Sequence, residues 1–210
     1  MTIVSSLTYL ASEIKLVVLL AIRRRRPGEI DDSPDRRQPV TQVHVDQTAA
    51  SSVARVHRHL PASDAPKLLE RRFQIINLWR PIGNPAIDWP LGLCDYRSVD
   101  IKKDTFPVAL IYPEREGETM GVKYNPNHKW KYLYGMTPEE IVLIKWRVLV
   151  LRLLVIGLNL TALYYFYSFD SIQDGDVAIC TPHTGFSDPT TPEGTPFRQS
   201  IELRALVFYD

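Results

Sequence analysis

Over much of the chain, apolar and polar residues alternate singly, the period of strands whose two faces meet different surroundings. In residues 40–48, Gln42, His44 and Asp46 share one face, and Val43 and Val45 share the other. Residues 73–80 repeat the pattern, with Phe73, Ile75, Asn77 and Trp79 set against Gln74, Ile76, Leu78 and Arg80. The last strand, 197–208, sets Arg198, Ser200, Glu202 and Arg204 against Ile201, Leu203, Ala205 and Val207. Shorter strands are predicted at 89–95, 108–112 and 177–181, and residues 121–126 and 129–134 read as a hairpin across Asn125-Pro126-Asn127-His128. Helical spacing is confined to 49–59 and 65–73. A third helix start is predicted at Thr137-Pro138-Glu139-Glu140, which has an N-cap residue, proline and early acid in order. The predicted class is mainly β with flanking helices, an α+β arrangement.

Two stretches depart from this pattern. Residues 148–169 are almost wholly apolar, and after Arg152 the uncharged run continues to Phe169. As a soluble element it would need burial on every side, and as a membrane span it has about the shortest sufficient length. Near the start, the apolar run 16–22 is followed by Arg23 to Arg26. A secretory signal has the opposite order, positive charge first, so the expected location is cytoplasmic. Residues 23–39 read as a solvated loop in which the arginines pair with Asp31, Asp32 and Asp35.

Composition narrows the function. Lys+Arg 25 against Asp+Glu 24 leaves no charge excess for a nucleic-acid partner. Cys94 and Cys180 have no disulfide or metal-ligand spacing and read as buried free thiols. Sixteen prolines favour short strands and shaped loops. His57 and His59 point to different sides of their helix, and His128 falls in a turn, so all three are expected at the surface.

The candidate chemistry lies in the alternating strands. His44-x-Asp46 alone also describes a polar surface strand, but His183 follows from a distant strand. Two imidazoles and one carboxylate are the ligand set that holds non-haem Fe(II) and leaves open positions. Arg198-x-Ser200 opens the strand after His183. An arginine with a nearby hydroxyl suits the far carboxylate of a 2-oxoacid chelated at those open positions. Asn77, on the same face as Trp79, fits a cavity wall with a polar anchor and equally a core strand with one satisfied amide.

Several blocks resemble one family in the same order: QPVTQVHVDQT (38–48), FQIINLWRP (73–81), LGLCD (91–95), residues 124–130, MTPEE (136–140), TPHTGF (181–186) and RQSIELRALVF (198–208). They are similar to the fungal AsaB-like hydroxylase/desaturase group, with gibberellin desaturase and cephem 7-alpha-methoxylase-like relatives. The resemblance implies a double-stranded β-helix (jelly roll) and an Fe(II)/2-oxoglutarate-dependent oxidoreductase. Such an enzyme hydroxylates or desaturates a small, often secondary, metabolite with O2. By position it implies His44, Asp46 and His183 as iron ligands, and Arg198 with Ser200 as the cosubstrate clamp, Arg204 being the alternative. Asn77, Trp79, Arg80, Tyr124 and Trp130 would contribute to the substrate pocket.

The resemblance covers about residues 22–210 with one gap. Residues 1–21 stand where family members carry part of the β-scaffold, and the apolar insert at about 147–168 has no counterpart. The expected organisation is therefore an atypical segment 1–21 and an oxygenase-like domain 22–210 that is incomplete at its N-terminus and interrupted by that insert. The coherent sequence on either side suggests mis-spliced sequence, a translated intron, for the insert and a gene-model artefact for the N-terminus. A non-catalytic relic of the family, and a single-span membrane protein using 148–169, are the alternative functions.

Overall fold

The computed structural model of the chain describes residues 19–31, 33, 35–144, 163–165, 169–171 and 178–209. The expected insert and the N-terminal segment lie almost wholly outside the described residues. Only β1 (Leu19–Arg24) and β9 (Leu163–Tyr165) take residues from them. Among the described residues, no helix is long and apolar enough to cross a membrane.

The molecule is built on one long antiparallel pair, β3 (Phe73–Pro81) and β12 (Gln199–Phe208). Their register runs from Ser200 opposite Pro81 to Phe208 opposite Phe73. Residues directly opposite one another share a face, so the alternation of both strands is kept across the pair. One face presents Ile76, Leu78, Ala205 and Val207, which pack with Ile141 of β8 (Ile141–Ile144). The other presents Phe73, Ile75, Leu206 and Phe208 at one end, covered by Val56, Ala65 and Leu68. Each fully buried side chain of this size contributes about 1.5–3 kcal/mol. Farther along that second face the character changes to Asn77, Trp79, Glu202, Ser200 and Arg198. The change begins at the opposed pair Asn77 and Arg204.

The complete first sheet has the order β1-β12-β3-β8-β9, with β10 (Phe169–Asp170) also on β3. The second has the order β5-β6-β2-β11-β4-β7. Its strands are β2 (His44–Val45), β4 (Leu91–Cys94), β5 (Thr105–Tyr112), β6 (Arg115–Val122), β7 (Trp130–Tyr132) and β11 (His183–Gly185). The two sheets do not close into a barrel among the described residues.

Three helices complete the described chain: α1 (Ala49–His59), α2 (Ala65–Leu69) and α3 (Ile101–Asp104). Helix α1 starts at a reciprocal cap, in which Thr48 Oγ1 accepts from Ser51 N and Ser51 Oγ accepts from Thr48 N. Thr48 also donates through its hydroxyl to Glu118 on β6. This cap fixes the chain two residues after Asp46.

Five local expectations are corrected. Residues 121–134 are not a hairpin: β6 pairs with β5 and β2, whereas β7 crosses to the far side of β4. The hairpin is β5–β6, and a Cβ at Gly121 would fall 2.5 Å from Phe106 Cζ, so only glycine fits beneath that ring. Residues 137–140 form a turn instead of a helix, because β8 follows at once and pairs with β3. Helix α2 stops at Leu69, and Phe73 belongs to β3. The arginine run is drawn to distant partners: Arg23 to Glu202, Arg24 to Gln199 and Arg25 to Asp88. Finally, the His128 side chain is only 4% exposed and its Nε2 lies 3.0 Å from Asp104 Oδ2. The two cysteines are buried free thiols, as the composition suggested. Burial pushes Cys180 up to about 12.

Candidate metal centre and its cavity

His44 and His183 are register partners across β2 and β11. Their rings sit 4.5 Å apart, and Asp46, just past the end of β2, reaches between them. Asp46 Oδ1 lies 3.7 Å from His44 Nε2, and Oδ2 lies 3.7 Å from His183 Nε2. The three candidate ligand atoms all lie within 4.8 Å of one another.

Both imidazoles are oriented in the same way. His44 Nδ1 donates to the Gln42 carbonyl at 2.8 Å, and His183 Nδ1 donates to the Thr181 carbonyl at 2.9 Å. A carbonyl only accepts, so the proton is on Nδ1 and the lone pair is on Nε2, the atom turned toward Asp46. Such anchoring of the remote nitrogen is how metal-ligating histidines are usually held.

Asp46 is itself supported from the first sheet. Arg204 Nη2 donates to Oδ1 at 2.6 Å, and Asn77 Nδ2 donates to Oδ2. Since Arg204 and Asn77 are opposed on β12 and β3, a single cross-strand pair grips the carboxylate. Burial raises the Asp46 carboxyl, but Arg204, His183 and His44 outweigh it and hold the group well below its usual range. Burial also lowers His44, yet the nearby Asp46 carboxylate leaves it raised overall. For His183 burial wins and the imidazole is pushed down. The result is an ionised carboxylate beside a buried imidazole that favours its neutral form, a donor set that suits a divalent transition metal. A carboxylate oxygen accepts more than one partner, so the Arg204 and Asn77 bonds are compatible with ligation.

A small cavity opens beside these groups, lined by His44, His183, Asn77, Trp79, Arg198 and Glu202 among others. Arg198 is buried with its guanidinium carbon 5.5 Å from the Trp79 ring centroid. Burial pushes its pKa down to about 10. Nη1 donates to the Trp89 carbonyl at 2.5 Å. Nε has no partner among the described residues, and neither has the buried hydroxyl of Ser200 or Asn77 Oδ1. A buried guanidinium Nε–H, a hydroxyl and an amide oxygen without partners are groups prepared for something polar that enters. Gly185 makes the approach of Arg198 possible: a Cβ there would lie 3.1 Å from Arg198 Nη1 and 3.3 Å from Pro39 Cβ.

The remaining sequence-predicted residues divide. Trp79, with Leu91, also walls an adjoining apolar pocket that includes Trp130, Tyr132 and Met136. Tyr124, 89% exposed, lines an outer groove instead of the metal cavity. Arg80 is on the outward face of β3, exposed, and donates to the Pro138 carbonyl, so it is not part of the cavity wall. Sequence reasoning missed Arg23, which reaches the cavity from β1, and the hold of Arg204 on Asp46. Alternation had put Arg204 on the same face as Arg198 and Ser200, but it does not specify a partner.

The family described as "YDMC: Oxidoreductase/YMDC permease-like domain" matches residues 11–147 and 157–208. The chain is 32% identical to Aspirochlorine biosynthesis protein N of Aspergillus oryzae, over 78% of this chain and 59% of that protein. It is 30% identical to the Fe(II)/2-oxoglutarate-dependent dioxygenase nvfI of Aspergillus novofumigatus, over 81% of this chain and 53% of nvfI. Among solved structures, the iron and alpha-ketoglutarate-dependent endoperoxidase NvfI superposes with a TM-score of 0.76 at 25% identity, over 99% of this chain and 67% of that one. The chain thus spans between half and two thirds of the length of these relatives. The hydroxylase/desaturase asaB of Aspergillus flavus is 32% identical over 80% of this chain and 70% of its own length. With that relative and a family match over most of its residues, the chain belongs to the fungal hydroxylase/desaturase family and has the jelly-roll fold of iron- and 2-oxoglutarate-dependent oxygenases.

Proposed function

We propose that this chain is a non-haem Fe(II)/2-oxoglutarate-dependent oxygenase that hydroxylates or desaturates a small metabolite, with His44, Asp46 and His183 as the iron ligands. The observation that carries the reading is the Nε2–carboxylate–Nε2 arrangement, with both Nδ1 atoms tied to backbone carbonyls. Arg198, with Ser200, takes the distal carboxylate of 2-oxoglutarate; both carry unpartnered buried polar atoms. Iron bound there, with O2, supplies the oxidation: 2-oxoglutarate becomes succinate and CO2 while the substrate gains one oxygen atom, or loses two hydrogens with release of water.

The protein's own work is placement. The two backbone carbonyls keep the imidazole lone pairs on Nε2, and the Asn77–Arg204 pair keeps Asp46 ionised and aimed. Trp79 and Leu91 stand between the polar cavity and the apolar pocket, so a largely apolar substrate held there presents its C–H bond to the metal side. Asn77 Oδ1 offers an acceptor to whatever fills the cavity. A cytoplasmic location and no nucleic-acid partner belong to the same reading, which the even balance of Lys+Arg 25 and Asp+Glu 24 supports.

Oxygen-dependent formation of succinate from 2-oxoglutarate tests the proposal. The purified protein with Fe(II) is expected to show it, and His183→Ala is expected to abolish it. A binding-only relic is the second reading, favoured by two sheets that do not close into a barrel among the described residues. Binding of metal and 2-oxoglutarate without succinate would support the relic and overturn the enzyme.

A further inference from the structure

We infer that the Asp88–Trp89 corner, braced by Arg25, is the positioning device of the Arg198 clamp and sets its preference for a 2-oxoacid with a distal carboxylate. The inference rests on the reading of Arg198 as that clamp.

Arg198 is buried and has no carboxylate within ion-pair distance of its guanidinium among the described residues. A buried guanidinium in that state is costly unless it is held for an incoming anion. Two adjacent residues hold it at two points. Asp88 Oδ2 accepts from the Arg198 backbone N–H at 2.9 Å, and the Trp89 carbonyl accepts from Nη1 at 2.5 Å. Both ends of one arginine are therefore fixed by a single dipeptide.

That dipeptide is itself constrained. The second oxygen of Asp88 accepts from Arg25 Nη1 at 2.7 Å. The Arg25 guanidinium carbon lies 5.0 Å from the Trp89 ring centroid and 5.2 Å from that of Phe197, the residue before Arg198. Trp89 has a φ of 46°, the left-handed region that a bulky aromatic residue rarely adopts, and it precedes a proline. An unfavourable backbone conformation of this kind persists when its surroundings enforce it, and it concentrates at functional positions. Here it accompanies the carbonyl bond to Arg198. On the other edge, Gly185 gives Nη1 the space it occupies: a Cβ there would lie 3.1 Å away.

A brace with only a structural role and a positioning device differ in their consequences. Loosening a brace weakens every ligand alike or lowers stability alone. Loosening a positioning device weakens only ligands that reach Arg198. The test uses the full chain loaded with Mn(II), a redox-inert stand-in, titrated calorimetrically with 2-oxoglutarate and with pyruvate, which lacks the distal carboxylate. In Asp88→Asn and Arg25→Gln the dissociation constant for 2-oxoglutarate is expected to rise about 10-fold or more, the usual scale for outer-shell partners, with pyruvate and Mn(II) affinities little changed. Arg25 is partly exposed, so its variant keeps the test open should Asp88→Asn fail to fold. Unchanged 2-oxoglutarate affinity, or an equal loss for both oxoacids, overturns the inference. Equal affinity of the unaltered protein for the two oxoacids overturns the clamp reading itself, and the inference with it.

Discussion

Arg204 and Asn77 face each other across β12 and β3, and both donate to the same carboxylate, that of Asp46 on the opposite sheet. The candidate metal centre thus draws its ligands from the second sheet and the support for its carboxylate from the first. The contact also marks where the inner face of the first sheet turns from apolar packing to polar chemistry. Arg204→Met removes the donor to Oδ1 and is expected to weaken metal binding by about 10- to 100-fold, with Arg204→Lys recovering part of the loss. Titration with Mn(II) checks this. Equal affinity in all three proteins would mean that the cross-strand pair does not position Asp46.

Gly185→Ala places a methyl group 3.1 Å from Arg198 Nη1 and 3.3 Å from Pro39 Cβ. The guanidinium must give way, since the backbone carbonyl of Val40 closes the other side at 3.4 Å. Overpacking of this kind costs about 1–3 kcal/mol of stability. The expected outcome is a lower melting temperature together with weaker 2-oxoglutarate binding at unchanged metal affinity.

The apolar end of the β3–β12 pair is expected to dominate stability. Ile75 is fully buried among Phe73, Leu206, Phe208 and Val56, and Ile75→Ala should cost about 2–5 kcal/mol in urea denaturation. Ile111, on the edge strand β5, is 73% exposed, and Ile111→Ala should change stability by no more than about 0.5 kcal/mol.

Acid stability should report Asp104. Hydrogen bonds from His128, the Asp100 backbone and Asn125 hold its carboxyl below the ordinary value of 3.8. A carboxylate whose pKa is lowered by folding stabilises the native state above its unfolded pKa, and that contribution fades as pH falls through the folded pKa. Asp104→Asn is therefore expected to melt earlier than the unaltered protein at pH 7, with the gap closing below about pH 4. A gap that is constant across that range would show that the loss is packing alone.

Strict alternation made β3 and β12 legible, because each strand has different neighbours on its two faces and the sequence registers both. It also put His44 with Asp46, Asn77 with Trp79, and Arg198 with Ser200 on shared faces; the structure buries or half-buries these residues. Strand β6 was only partly legible. Its first residues, Arg115 to Thr119, have poor strand propensity, and pairing with β5 and β2 forms the strand instead. The capping pattern at Thr137 was real chemistry, since Thr137 N does donate to the Glu140 side chain. It closes only a turn, because Ile141 is claimed by the first sheet. Long-range polar partners were the least legible. The periodicity that turns Arg204 inward does not say that it meets Asp46, and nothing local to Arg25 points to Asp88. The same limit applied to His128, whose turn position suggested exposure while its partner, Asp104, lies well upstream.

The central claim is that His44, Asp46 and His183 form one iron site that 2-oxoglutarate joins. Anaerobic titration of the protein with Fe(II) in the presence of 2-oxoglutarate addresses it directly. A metal-to-ligand charge-transfer band that saturates at one iron per chain and is lost in His44→Ala is the predicted result. No band, or a band that His44→Ala leaves intact, would contradict the account.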